Sequence, residues 1–145
     1  MSKRTGLLAL AVTFSAGIHA ALVPEHLEEM PRLGDAFIAA AVIGVLLAFG
    51  LVSRPDDQRL QLLAGTFCLG QIAAWAFFVT LAVPGFAGTP ESVEPIALVA
   101  KGAEALAVLL TLPCATSPTT QRLQSLNGGD QSPVAGFTPW MAGRP

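Results

Sequence analysis

The chain has no tyrosine, only two histidines and two cysteines, and few charges: 12% of its 145 residues. Each shortage excludes something. An ordinary soluble domain carries roughly 25% charged residues, so this chain has too little polar surface to cover a water-soluble globule. No basic stripe is present, which excludes a nucleic-acid binder. Cys68 and Cys114 lie far apart and form no C-x-x-C pair, so neither a disulfide framework nor a zinc site is indicated. No metal-protease, nucleophile-elbow or phosphate-loop pattern occurs, and the chain reads as a non-enzyme more readily than as an enzyme.

What is present is apolar. Hydrophobic residues make up 52% and the mean hydropathy is +0.60. A membrane-crossing helix needs about 20 mostly apolar residues, with roughly 17–25 observed. Four segments qualify: 6–23, 36–52, 60–83 and 96–112. Proline and charge separate them, at Pro24 and Pro31, at SRPDDQR and at PGFAGTPESVEP. The expected fold is therefore all-α: a four-transmembrane-helix bundle over 1–112, then a flexible tail over 113–145 that is rich in Ser, Thr, Gly and Pro. In that tail Phe137 and Trp140 are candidates for docking at the membrane interface or on a partner, and Cys114 for lipidation.

Lys and Arg set the direction of threading. Lys3, Arg4, Arg54, Arg59, Arg122 and Arg144 fall on one side of this arrangement, and Arg32 alone falls in the opposite loops. Those loops carry Glu25, Glu28, Glu29, Asp35, Glu91 and Glu94. The expectation is a multi-pass protein of a bacterial cytoplasmic membrane, both termini inside and the acidic loops outside. The basic start and apolar middle of KRTGLLALAVTFSAG also fit a signal peptide, but Gly17, Ile18 and His19 interrupt the place of an A-x-A cleavage site. The first segment is expected to remain as a span.

Helix contacts in lipid rely on small residues. Gly17/Ala21, Ala40/Gly44, Gly44/Ala48, Gly70/Ala74 and Ala103/Ala107 all have the small-xxx-small spacing. PEHLE at 24–28 and PESVE at 90–94 form a faint repeat that fits either two related hairpins or coincidence at helix starts.

Three of the four spans carry polar groups. His19 is in the first, with Ser15 one turn below it; Gln71 is in the third; Lys101 and Glu104 are in the fourth. A charge near a helix centre costs about 2.5–3.5 kcal/mol to insert, against roughly 0.3–0.6 returned by each Leu, Ile or Val. The fourth span alone inserts poorly and needs its charges paired. Glu94, Ala97, Lys101, Glu104, Ala105 and Val108 share one face at helical spacing, and Ile96, Val99, Leu106 and Leu110 lie mainly on the other. At about 1.5 Å per residue, His19 lies about 6 Å, Lys101 about 8 Å and Glu104 about 12 Å below the outer end. His19, Ser15, Gln71, Lys101 and Glu104 are thus the candidate polar intramembrane site, provided that the helices bearing them are neighbours.

PEHLEE has two readings. One is a short interfacial helix begun by Pro24 and ended by Pro31, with Glu25, Glu28 and Glu29 at its positive end and His26 on its surface. The other is a metal site built from His19, His26, Glu25 and Glu29, although Pro24 stands between the two histidines. No cofactor is otherwise indicated.

HAALVPEHLEE followed by LGDAF, and GTPESV leading into a span with Lys101 and Glu104, make the chain resemble a group of small uncharacterised bacterial four-span integral membrane proteins with an H-x(4)-P-E-H signature. The resemblance covers 6–112. It implies the four-span fold and the membrane location, and no reaction. Members of that group often carry an Arg near the outer end of the third span; FFVTLAVPG has none, so a shared ion-pairing scheme is not implied. Two functions follow as expectations. The first is an accessory or interaction subunit, with the lipid bilayer and a membrane-protein partner or a second copy as its partners. The second is a metal- or small-ligand-handling protein using the outward polar site.

Overall fold

A computed structural model of the protein describes residues 1–81 and 93–112. The described residues are all helical apart from turns, with four helices: α1 (Lys3–Glu29), α2 (Pro31–Ser53), α3 (Gln58–Thr80) and α4 (Pro95–Thr111). The expectations for Glu91, PESVE as a whole, Cys114, Phe137 and Trp140 fall outside the described residues.

α1, α2 and α3 are each long and apolar enough to cross a membrane. α4, with 17 residues, is the shortest. The packing is inverted relative to a water-soluble bundle. Large side chains such as Leu10, Leu46, Phe49 and Leu109 are exposed, whereas most of the buried apolar residues are alanines. That distribution suits hydrocarbon as solvent, where close backbone approach rather than hydrophobic burial holds helices together.

α1 is central. It packs along much of α2 and against α4; α3 packs mainly on α4 and only lightly on α2 and α1. At the end holding the N-terminus, Ser2 caps α1 by accepting from the Thr5 amide, and Asp57 caps α3 by accepting from the Arg59 and Leu60 amides. The Pro55 carbonyl accepts from the Thr5 hydroxyl and the Gln61 amide, tying α1, the α2–α3 turn and α3 together. Arg4 donates to the carbonyl oxygens of Leu110 and Leu112, closing the C-terminus of α4 with a cation of favourable sign for the helix dipole. Replacing Arg4 with Ala removes that charge-assisted cap, and hydrogen exchange in the last turn of α4 is expected to quicken about tenfold.

The opposite end departs from the sequence expectation. No separate short helix forms over PEHLEE: α1 runs unbroken through Pro24 to Glu29. Proline removes one intrahelical hydrogen bond, but transmembrane helices accommodate it. α2 begins at Pro31, so a single residue, Met30, joins the two helices, its carbonyl accepting from the Leu33 and Gly34 amides. Gly34 is what permits so tight a turn. A Cβ there would lie 2.8 Å from the Leu27 backbone nitrogen. His26, expected on the surface, is instead buried against Phe37 at the start of α2.

Midway along the pair, Gly44 lets α2 approach α1 so closely that a Cβ would come within 2.8 Å of Ala16 Cβ. Ala40, Gly44 and Ala48 are therefore intrachain packing residues, whereas Gly17, Ala21 and Gly70 face outward and Ala74 lines the cavity between the helices. Toward the N-terminal end an apolar cluster of Leu8, Val12, Leu47, Leu51, Ala64, Cys68 and Ala107 fills the bundle.

Candidate functional site

Glu104 is completely buried, and α1 and α4 meet around it. Its Oε1 accepts from the Ser15 hydroxyl at 2.7 Å, and its Oε2 accepts from the Lys101 ammonium at 2.6 Å. His19 Nε2 stands 3.9 Å from Oε1, beyond hydrogen-bond reach. The ion pair explains how α4 carries two charges on a face packed against α1: each is neutralised by the other, and both carboxylate oxygens are satisfied.

The tautomer of His19 follows from its other ring nitrogen. Nδ1 lies 2.9 Å from the Ser15 carbonyl oxygen, which can only accept, so Nδ1 carries a proton. In the neutral ring Nε2 is then the unprotonated atom and faces Glu104. His26 repeats the arrangement two helical turns further on, its Nδ1 donating to the Leu22 carbonyl at 3.0 Å. Both imidazoles pack on Phe37, with ring centroids 5.2 Å and 4.3 Å away.

Above this cluster lies a cavity of about 90 Å³, room for several waters. All four helices supply its wall, with His19 and His26 from α1, Phe37 from α2, Gln71 and Trp75 from α3, and Lys101 from α4; Glu94, the cap residue of α4, also lines it. Lys101 bridges cavity and cluster: besides Glu104, its ammonium reaches the Gln71 backbone carbonyl at 3.4 Å. The Trp75 indole Nε1 is buried and makes no hydrogen bond. The apolar cluster around Val12, Cys68 and Ala107 begins about one turn beyond Ser15 and Glu104.

Of the polar residues read from the sequence, Ser15, His19, Lys101 and Glu104 lie together, and Gln71 joins through its backbone carbonyl and the cavity wall. The exposed face of α4 differs slightly from expectation. Ala105 points outward, Ala100 and Ala107 are buried, and Leu110 packs on the apolar cluster. The four residues of the metal reading are not gathered: Glu25 and Glu29 are exposed while His19 and His26 face Phe37. Among the described residues no three His, Cys, Asp or Glu side chains are grouped to hold a metal ion. The objection drawn from Pro24 falls, however, since both histidines lie on one continuous helix. Sequence reasoning passed over Trp75 and Phe37, aromatic residues in apolar runs that carry no signal separating a cavity wall from a lipid-facing surface.

No known protein family, curated protein or solved structure matches this chain.

Proposed function

We propose that the protein is a four-span integral membrane protein of a bacterial cytoplasmic membrane, with both termini inside, that binds a small polar ligand in an outward-facing cavity. One observation carries the reading: a wholly buried Glu104, held by Ser15 and Lys101, lies directly beneath a cavity whose mainly apolar wall carries His19, Gln71, Glu94 and Lys101. Ionisable groups at membrane depth are costly and concentrate along ligand and ion pathways. The distribution of Lys and Arg supports the direction, because it puts the cavity end outside.

The test is a thermal-shift panel on detergent-purified protein, using small polar solutes, anions and divalent cations. At least one class is expected to raise the melting temperature, and Ala97→Phe, which places a ring in the cavity, is expected to erase that rise. A silent panel on folded protein would end the reading.

A second reading, an accessory subunit or homo-oligomer, is supported by α3. That helix buries only Ala64, Gly65 and Cys68 and leaves open space beside Gly70. Native mass spectrometry showing only monomer, with no partner carried through mild purification, would remove it.

A further inference from the structure

The class of ligand follows from the cavity wall and from where the cavity opens, and this inference rests on the small-ligand reading above. α2 and α3 diverge from the turn at 54–57, with Leu47 and Leu51 packed beside Ala64 and Cys68 in the apolar cluster. Beyond that cluster the cavity stands between the two helices. Ala36 on α2 and Ala74 on α3 both line it, and both are exposed. The cavity therefore also opens sideways, along the lightly packed seam between α2 and α3. Both helices are apolar enough to cross a membrane, so on the proposed threading the seam faces hydrocarbon. The wall is mainly apolar, from Leu22, Leu33 and Phe37 to Phe78. An apolar cavity of about 150 Å³ holds benzene; on that scale the present 90 Å³ holds about four heavy atoms. A longer chain has to leave through the seam.

Two side chains on the wall have unmet hydrogen-bonding groups. The Gln71 side-chain amide makes no hydrogen bond; Gln71 contributes only its backbone carbonyl, to Lys101. His19 Nε2 makes none either. In the neutral ring it is an acceptor, and its neighbour at 3.9 Å, Glu104 Oε1, is an acceptor too. Among the described residues Trp75 Nε1 is the one sealed side-chain nitrogen or oxygen without a partner. His19 Nε2 and the Gln71 amide therefore keep open surface, and what they line is the cavity. A bare acceptor beside an amide calls for a group that both donates and accepts. A hydroxyl does both, whereas a carbonyl would leave Nε2 unmet. Charge excludes ionised groups. Lys101 and Glu104 cancel, so either sign brought in would be uncompensated at low dielectric. Glu94 also lines the wall, but it is exposed and screened by solvent.

We propose that the cavity binds a neutral aliphatic alcohol drawn from the bilayer, its hydroxyl donating to His19 Nε2 and accepting from the Gln71 amide, its chain leaving between Ala36 and Ala74. The hydroxyl oxygen and about three carbons fill the enclosed volume. Binding changes no covalent bond and no net charge, and the Lys101–Glu104 pair stays intact. Water would meet the same two polar groups but would leave the apolar wall and the seam without a partner.

The experiment uses the full chain in lipid nanodiscs, with Trp140→Phe so that Trp75 on the cavity wall is the sole tryptophan. The probe is 6-bromohexan-1-ol, whose bromine quenches indole fluorescence. Quenching is expected to saturate and to be reversed by 1-hexanol, but not by hexane, 2-hexanone, hexanoate or hexylammonium. 1-Bromohexane should quench only in proportion to its concentration in the bilayer. Gln71→Leu should weaken the alcohol about tenfold, the effect of one lost hydrogen bond. Ala36→Phe/Ala74→Phe fills the seam and should abolish the saturable part, with circular dichroism to show that each variant folds. Equal reversal by hexane or 2-hexanone would overturn the hydroxyl assignment. Reversal by hexanoate or hexylammonium would overturn the neutral one, and saturation that survives a filled seam would overturn the lateral route. Each of these leaves the small-ligand reading standing. If the bromoalcohol quenches no more saturably than 1-bromohexane, the alcohol assignment falls outright, whatever the variants do; the broader reading falls only if the thermal-shift panel is also silent.

Discussion

Replacing Glu104 with Ala is expected to destabilise the bundle by about 3 kcal/mol, the lower end of the range for breaking a buried ion pair from one side. Ordinary interhelical hydrogen bonds in membranes are worth much less, about 0.6 kcal/mol on average. The larger effect here comes from what remains. Lys101 would lose its 2.6 Å partner while its side chain stays mostly buried, and Ser15 would lose the acceptor of its hydroxyl. The lower end applies because Lys101 also lines the cavity and keeps some access to water. The companion variant Glu104→Leu/Lys101→Met removes both charges at similar volume and should unfold close to wild type, since a buried pair contributes little over a well-packed apolar replacement. Equilibrium unfolding in mixed micelles checks both. A loss below about 1 kcal/mol for Glu104→Ala would show that the pair does not hold α4 in place.

Gly44→Leu is expected to be comparably damaging for a purely steric reason. A Cβ at residue 44 already falls 2.8 Å from Ala16 Cβ, and the Val12 carbonyl lies close behind. Neither neighbour is the end of a flexible side chain, so α1 and α2 must separate. Overpacking of this kind costs about 1–3 kcal/mol, occasionally more, and here it also pulls Ser15 and His19 away from α4. Gly17→Leu is the control, because nothing lies within 4 Å of a Cβ at that position. The same unfolding assay should show a clear loss for residue 44 and almost none for residue 17. Equal losses would mean that the α1–α2 contact is looser than described.

The contrast between these two glycines shows what was legible in the sequence. Both belong to small-xxx-small pairs, and spacing alone assigns them the same role. Only the neighbouring helix separates a packing residue from an outward-facing one. The polar cluster was more readable. A charge inside an apolar segment marks itself, and the helical rise puts His19, Lys101 and Glu104 at similar depths before any fold is known. That α1 and α4 are neighbours was not readable, since loop lengths pair α1 with α2 and say nothing of the fourth helix. Pro24 misled for a different reason. A proline costs one helical hydrogen bond and a clash with the carbonyl four residues back, and α1 absorbs both and continues to Glu29. The burial of His26 follows from that continuation, because it lies two helical turns beyond His19 on the same face of α1.

The apolar cluster beneath Glu104 has an electrical consequence. It makes the cavity a well with a floor, so a charge entering it moves through only part of the membrane field. On the proposed threading, with α1 leaving a hydrocarbon core of about 30 Å near Val23, His19 lies about 6 Å deep, roughly a fifth of the way across. A full crossing is worth about 2.3 kcal/mol per 100 mV; occupancy of His19 by a proton would therefore change by only about 0.5 kcal/mol per 100 mV. A proton on His19 would report the acidity of the compartment at the mouth of the well, and the membrane potential hardly at all.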